Sequence, residues 1–326
     1  MAGVNTKILA SDYNAIQADI EQILGTGSGQ FGYGQTVFSS QVTTSDVVTV
    51  NEYAALRYDI INAYKHLFNA TPPNVDAKIL GETIRYSNTD EPINYWANVT
   101  NSIETNRRNL AVAGQRSTTN HGTETFTGTW GANSTPQLYC NVTVEFLTSE
   151  NARFFFNSGG SINFTSSRTG GSTTAQNTSW TSLLSTAGTR TFGGNTPGTG
   201  VNPNDGTNWF RMSNTPQEWS SIVASSPYAL NEWNILANTG DGVSDNSAGG
   251  SRIINFDIYW LDNHVALGGP SATGTPTQPG GFGPDAVDGT ISLTVQTIEA
   301  AGVLDPVGSG NFEVETPTVT IGTIIN

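Results

Sequence analysis

Apolar side chains recur every three to four positions along the first 112 residues, which is the spacing of amphipathic α-helices. This pattern predicts three helices. Ser11 is expected to cap the first helix and Gly25 to end it. Thr49 and Glu52 have the spacing of a capping box, so the second helix is expected to begin there.

The second helix is expected to end before Pro72-Pro73, and the third to begin near Asp90 with Pro92 in its first turn. The predicted apolar stripes are Ile16, Ile20, Ile23 and Leu24; Tyr53, Leu56, Ile60, Tyr64 and Leu67; and Trp96, Val99, Ile103 and Leu110. Amphipathic helices of this length gain most of their stability from packing. Residues 1–112 are therefore predicted to form a helical module for attachment or oligomerisation.

From residue 116 onward the period of the apolar positions changes from 3.6 to two, as in half-buried β-strands. The segments Leu138–Phe146 and Ile254–Trp260 alternate most clearly between apolar and polar side chains. Further strands are predicted at Phe126 and Trp130, over Ser161–Ser167, at Ile291, Leu293 and Val295, at Phe312 and Val314, and at Val319 and Ile321.

Two short helices are predicted among these strands, one capped by Ser149 and ended by Gly159-Gly160, the other around Trp180. Residues 187–208 and 265–289 are rich in Gly and Pro and are predicted to be loops. The predicted fold class is α+β. An N-terminal helical module would be followed, over residues 116–326, by an antiparallel β-sandwich with short helices and long Gly/Pro loops.

The charge balance argues against two classes of partner. Thirteen Lys and Arg against 27 Asp and Glu give a formal net charge of −14. An acidic surface repels phosphate backbones, so no nucleic-acid partner is expected. No membrane partner is expected either, because Arg107-Arg108 is the largest basic cluster and no apolar run reaches 18 residues. The opening residues lack the apolar core of a secretory signal, which indicates assembly in a cytoplasm.

The reactive side chains do not form a recognisable constellation. His66, His121 and His264 have no further His or Cys at metal-ligand spacing, and Cys140 lies at an apolar strand position. No phosphate-binding glycine motif occurs in its required context. No catalytic residue, metal or cofactor is therefore predicted.

Acidic residues leave two alternatives open. The loops Asn238–Asn246 and Asp285–Gly289 carry oxygen ligands suitable for calcium, although turn formation by Asp and Asn explains them as well. A pair of distant carboxylates could hydrolyse a glycan. The acids available in the middle region are Glu145, Glu150, Asp205, Glu218, Glu232, Asp241 and Asp245.

Three aromatic residues in turn-rich surroundings are the candidate contact residues. Trp209, Phe210 and Trp219 flank a polar stretch. If exposed, such rings anchor interfaces or stack on sugars. The competing interpretation is that they belong to the core, because Trp is mostly buried.

Several segments resemble a known family. The run ILASDYNAIQADIEQILGTGSGQFGYGQ, followed by VTTSDVVTVNEYAALRYDIINAYKHLF, resembles the start of virion structural proteins of tailed marine phages, especially cyanophages. ARFFFNSGGSINFTSSRTGG and NTSWTSLLSTAGT resemble a second block. INFDIYWLDNH, VDGTISLTVQTIEAAG and PTVT resemble a third. The resemblance implies a structural, tail or fibre-like protein and no catalytic residues.

The sequence as a whole therefore predicts a non-enzymatic virion protein, assembled in the host cytoplasm and located in the tail. It would be a tail, baseplate or fibre-attachment component. Its partners would be copies of itself, as a trimer or hexameric ring, and other virion proteins. Two alternatives are a host-glycan-binding adhesin that uses Trp209 and Trp219, and a capsid decoration or neck protein. A polysaccharide depolymerase is the enzymatic alternative.

Overall fold

The computed structural model describes residues 10–44, 47–75, 77, 93–109, 115–131, 137–194, 208–263 and 286–326. These residues form two compact units. The first unit draws on residues 1–118, 148–160 and 298–316, and the second on residues 119–147, 161–297 and 317–326. The helical unit thus includes two segments from beyond residue 116, in addition to the predicted N-terminal module.

The helical unit contains α1 (Ala10–Leu24), α2 (Val50–Phe68), α3 (Ile93–Asn106) and α4 (Ser149–Asn157). The first three helices contact one another pairwise and bury the described residues of the predicted stripes, except that Tyr64 is only partly buried. Ile20, Leu56 and Ile103 have no exposed surface. Tyr53 stacks on Trp96, with 4.3 Å between the ring centroids. Each fully buried apolar side chain stabilises the fold by roughly 1.5–3 kcal/mol.

The helix ends agree only partly with the sequence predictions. The Thr49–Glu52 capping box is present, and α1 ends before Gly25 as predicted. However, Ser11 is the second residue of α1 rather than its cap. Helix α2 ends at Phe68, before Pro72-Pro73 as predicted, and its cap is Asn69, which adopts a left-handed conformation with φ of 49°. Asp90, Pro92 and Leu110 lie outside the described residues.

The second unit contains most of two antiparallel sheets. The strands are β1 (Arg116–Trp130), β2 (Gln137–Glu145), β3 (Ser161–Thr169), β4 (Thr189–Gly193), β5 (Gln217–Val223), β6 (Glu232–Thr239), β7 (Ile253–Leu261), β8 (Val287–Ala300) and β9 (Thr318–Ile321), with α5 (Ala175–Ala187) between β3 and β4. One sheet has the order β1-β8-β3-β4 and the other β5-β6-β7-β2-β9. Buried and accessible positions alternate along β2 and β7, as their sequences predict.

The two sheets pack face to face, which confirms the predicted sandwich. Phe164 on β3 lies 4.7 Å from Phe256 on β7, measured between ring centroids. Phe192 on β4 lies 5.3 Å from Trp219 on β5. The indole of Trp260 donates a hydrogen bond of 2.9 Å from Nε1 to Ser166 Oγ on the opposite sheet. Aromatic rings therefore make these contacts between the sheets, within a core that also contains buried aliphatic side chains such as Val142, Ile258 and Leu293.

Four local predictions need correction. Strand β4 occupies part of the predicted loop 187–208, because Phe192 is needed in the sandwich core. Strands β5 and β6 also come from a segment for which no element was predicted. The cap of α4 is Thr148 rather than Ser149. Phe312 and Val314 do not form a strand; the preceding loop is closed by a hydrogen bond from Phe312 N to Gly302 O.

Candidate functional site

The aromatic residues proposed as contact residues are buried. Trp209 and Trp219 have no exposed surface, and Phe210 is 4% exposed. Trp209 and Phe210 form one turn of 3-10 helix with their rings 4.6 Å apart. Trp219 packs in the sandwich core against Phe192. These positions fit the core interpretation, and in this chain the three rings offer almost no surface to a glycan.

The described acidic residues of the two candidate calcium loops, Asp241, Asp245 and Asp288, are engaged in turns and in an ion pair. Asp241 accepts hydrogen bonds of 2.8 Å from Ser251 Oγ and from Arg252 N. Asp245 accepts one of 2.9 Å from Ser247 N. Among the described residues, no three His, Cys, Asp or Glu side chains are grouped closely enough to hold a metal ion.

Asp288, from the other acidic loop, ties the start of β8 to the segment after β3. Its carboxylate accepts hydrogen bonds from Ser172 N at 3.0 Å and from Ser172 Oγ at 2.9 Å, and it also contacts Asn177 and Arg168. Desolvation opposes ionisation, but these hydrogen bonds and the Arg168 charge together lower the pKa of Asp288. The arrangement is that of a structural anchor. Asp285 lies outside the described residues.

Cys140, His66 and His121 also have structural surroundings. Burial raises the pKa of the Cys140 thiol to about 12, with a further contribution from Glu124, so the thiolate that would attack a substrate does not form. His121 Nε2 lies 2.9 Å from Thr297 Oγ1. His66 is buried in the helical unit beside Ser158. His264 lies outside the described residues.

The most distinctive polar surface is on the outer side of the five-stranded sheet. Strands β2 and β7 pair so that Tyr139 lies opposite Tyr259 and Asn141 opposite Asp257. The two tyrosine rings are 5.1 Å apart and tilted by 41°. Tyr139 Oη donates a hydrogen bond of 2.7 Å to Asp257 Oδ1, and Asn141 Nδ2 donates one of 3.1 Å to the same oxygen. We call these four residues the tyrosine–aspartate face.

A shallow hollow of about 300 Å³ opens beside this face. Its lining consists of Gln137, Tyr139, Tyr259, Ile325 and Asn326. The C-terminal segment is held there by two hydrogen bonds of 2.9 Å between the backbones of Tyr139 and Ile325.

The tyrosines of the hollow remain neutral at physiological pH. Desolvation, followed by the hydrogen bond to Asp257, raises the pKa of Tyr139 to about 12, and desolvation raises the pKa of Tyr259. The hollow therefore combines two neutral phenols, two amides and an exposed aliphatic side chain. That chemistry suits a neutral, hydroxyl-rich ligand.

A second hollow, of about 380 Å³, lies between α5 and the turn that follows β5. Hydroxyl groups dominate its polar lining, and none of its lining residues is charged. The hydroxyl-bearing residues are Thr178, Ser179, Ser182, Thr186, Ser225, Ser226 and Tyr228. The acid–base pair that hydrolysis requires is absent from this lining.

The sequence placed the members of the tyrosine–aspartate face on the polar sides of their strands, but it did not bring them together. More than a hundred residues separate β2 from β7, and strand alternation carries no information on which strands are neighbours. The chain matches no family model, no curated protein and no solved structure. Among the described helices, none is long and apolar enough to cross a membrane.

Proposed function

We propose that this chain is a structural component of a bacteriophage virion. It would be a tail, baseplate or fibre-attachment protein that assembles by symmetric packing with copies of itself and with other virion proteins. The proposal begins from the resemblance in sequence. The first resembling block covers α1 and α2, the second covers α4, β3 and α5, and the third covers β7, β8 and β9. The resembling residues thus build the scaffold of both units.

The observation that carries the proposal is the neutral hydroxyl surface of the four-stranded sheet. Exposed threonine hydroxyls form hydrogen bonds across neighbouring strands, which stabilises each pair by roughly 0.2–1 kcal/mol. The pairs are Thr123–Thr294, Thr127–Thr290 and Thr165–Thr189, with oxygen–oxygen distances of 2.8, 2.9 and 2.9 Å. A rigid surface with few charges supports permanent subunit packing, because burying an unpaired charge is costly. Double-sheet β domains are also a common capsid architecture, a likeness at the level of fold alone.

Immunogold labelling of purified particles tests this proposal. An antibody against residues 116–326 should decorate the tail or its tip. Label over the head or at the neck would instead assign the chain to a capsid decoration or neck protein, still within the virion. Absence of label, together with absence of its peptides in mass spectra of the purified particles, would refute the virion assignment.

The tyrosine–aspartate face favours a second candidate function, binding of a host surface glycan. Two half-buried tyrosines beside amide groups provide ring faces for a sugar and donors for its hydroxyls. The test is calorimetric titration of the protein with polysaccharide from the host envelope. Tyr259→Ala should weaken binding, whereas Tyr58→Ala, at a half-buried tyrosine on α2, should not. Equal affinities of both variants and the unaltered protein would exclude this face as the glycan site.

A further inference from the structure

The first strand of the sandwich is unusual for the edge of a sheet. Strand β1 spans 15 residues and lies at the end of the β1-β8-β3-β4 sheet. Among the described residues, β8 is the only strand that pairs with it. Along its central part, the threonines at 123, 125, 127 and 129 are exposed, while Glu124, Phe126 and Gly128 on the other face are half-buried. A long stretch of backbone is therefore available for pairing.

Within the part of the chain that the structure describes, the other three sheet edges are protected, and β1 is not. Native proteins blunt edges with short strands, bulges, Lys or Pro. Strand β4 has five residues and β9 has four. Strand β5 carries a register irregularity between Glu218 and Ser220. Strand β1 contains neither Lys nor Pro, and its segment from Thr123 to Thr129 carries a single charge, at Glu124.

This segment is complementary to itself in the antiparallel direction about Phe126. On one face, Glu124 would lie opposite Gly128 of the second copy, and Phe126 opposite the second Phe126. The acid thus meets a glycine rather than a like charge, and the aromatic ring meets an aromatic ring, which is a favourable cross-strand pair. In the single chain the Phe126 ring lies over Gly128, with Cζ 3.1 Å from the position of a Cβ atom there, so this ring must turn toward the two-fold axis when the pair forms. The two Glu124 side chains would be separated by about 14 Å along the strands, beyond the screening length of about 8 Å.

The outer face is also self-complementary in this register. Thr125 would lie opposite Thr127 of the second copy, and Thr123 opposite Thr129. This pairing continues the threonine hydroxyl pairs already present between β1 and β8. Threonine hydroxyls would thus cover the outer face of both β1 strands and of the β8 strands beside them.

We propose that β1 pairs antiparallel with β1 of a second copy of this chain, about a two-fold axis at Phe126, so that two four-stranded sheets become one continuous sheet. The proposal deepens the symmetric packing proposed above. It also restricts the symmetry, because a two-fold contact builds dimers and even-numbered assemblies such as a hexamer of three dimers, and is absent from an isolated trimer.

Engineered cysteines test the register in the purified full-length protein. Directly opposed residues of an antiparallel pair have Cα atoms about 4.5–5.5 Å apart, which permits a disulfide. Phe126→Cys should therefore form a covalent dimer on mild oxidation, and reduction should abolish it. The native Cys140 has no exposed surface and provides no competing thiol.

Two variants serve as matched controls on the same strand. In a Thr123→Cys dimer or a Thr129→Cys dimer, the two identical residues would be about 20 Å apart, so neither variant should cross-link alone. Mixed after subunit exchange, these two variants should cross-link with each other, because residues 123 and 129 are opposed. Circular dichroism of each variant verifies that it is folded.

The possible outcomes separate clearly. A cross-linked Phe126→Cys dimer, with cross-linking of 123 only to 129, supports the proposed register. A monomeric Phe126→Cys protein, or equal cross-linking of all three single variants, overturns it. Thr125→Lys with Thr127→Lys should also abolish the dimer in analytical ultracentrifugation, while Thr318→Lys with Thr320→Lys, at exposed threonines on edge strand β9 of the other sheet, should leave it. Because none of these measurements requires a virion, failure of the pairing is distinguishable from failure of the proposed function.

Discussion

The stability of the helical unit should depend on pH through one buried histidine. His66 on α2 is 1% exposed. Its ring stacks on Phe312 with 4.2 Å between centroids and meets the edge of Tyr33 at 4.9 Å. Its Nε2 lies 2.8 Å from the carbonyl oxygen of Ser158, which fits a neutral ring that donates a proton there. Desolvation, only partly offset by this hydrogen bond, lowers the pKa of His66 to about 3.

The direction of the effect follows from proton linkage. The ordinary pKa of histidine is 6.5, so in the unfolded chain His66 takes up a proton as the pH falls below that value. In the folded chain the His66 ring remains neutral over the same range. The contribution of buried His66 to the free energy of unfolding is therefore complete above pH 6.5, and it declines as the pH falls from 6.5 towards 3. Each pH unit costs about 1.4 kcal/mol, which makes the loss at pH 4.5 about 3 kcal/mol relative to pH 8.

The appropriate comparison is with His66→Phe, which retains the aromatic stack and cannot be protonated. Loss of the hydrogen bond to Ser158 should cost about 1–3 kcal/mol at every pH. The variant should therefore be less stable than the unaltered protein at pH 8. By pH 4.5 it should be equally stable or more stable.

Urea unfolding monitored by far-ultraviolet circular dichroism at pH 8, 6 and 4.5 measures the difference. Hydrogen exchange of the α2 amides assigns the difference to the helical unit. Other titrating groups, including Asp59, whose pKa is raised by desolvation, are common to both proteins and cancel. If the free energies of unfolding of the unaltered protein and of His66→Phe changed in parallel from pH 8 to pH 4.5, His66 would be protonated equally well in the folded and unfolded states. That result would contradict the predicted effect of its burial.

Three further perturbations follow from the packing. Gly34→Ala should lower the free energy of unfolding by about 2–4 kcal/mol in urea titrations, because φ is +71° and a Cβ atom would lie 2.4 Å from the Phe154 ring; an unchanged midpoint would contradict that geometry. Trp219→Ala should cost about 3–5 kcal/mol by the same measurement, and a loss below 1 kcal/mol would contradict its place in the core. Asp288→Ala should destabilise by about 1–3 kcal/mol, while millimolar calcium should leave the thermal midpoint of the unaltered protein unchanged; a calcium-dependent rise would revive the metal interpretation.

Much of the fold could be predicted from local patterns. The stripe containing Ile20 predicted α1, and the Thr49–Glu52 box predicted the start of α2, because both depend on residues within one or two turns of each other. The alternation in β2 and β7 predicted which side chains enter the core. These predictions succeed because helical and strand periodicity is a property of neighbouring residues.

The candidate sites could not be predicted in the same way. Trp209 and Trp219 were ambiguous in sequence, because a turn-rich neighbourhood does not reveal whether another sheet covers a ring. Strand β5 places Trp219 against Phe192, a contact that depends on the packing of two sheets. Strand β4, which carries Phe192, was itself not predicted, because it lies in a Gly-rich segment that has the composition of a loop.

The sequence alone therefore determined the succession of helical and strand segments, the apolar face of each and the acidic charge. Only the tertiary structure decided that Tyr139 and Asp257 share a surface and that His66 is buried beside Phe312. It also decided that β1 lies at a sheet edge, which no other described strand covers. The physical reason is that pairing between distant segments depends on the packing of the whole chain. Periodicity specifies which face of a segment is buried but not what buries it.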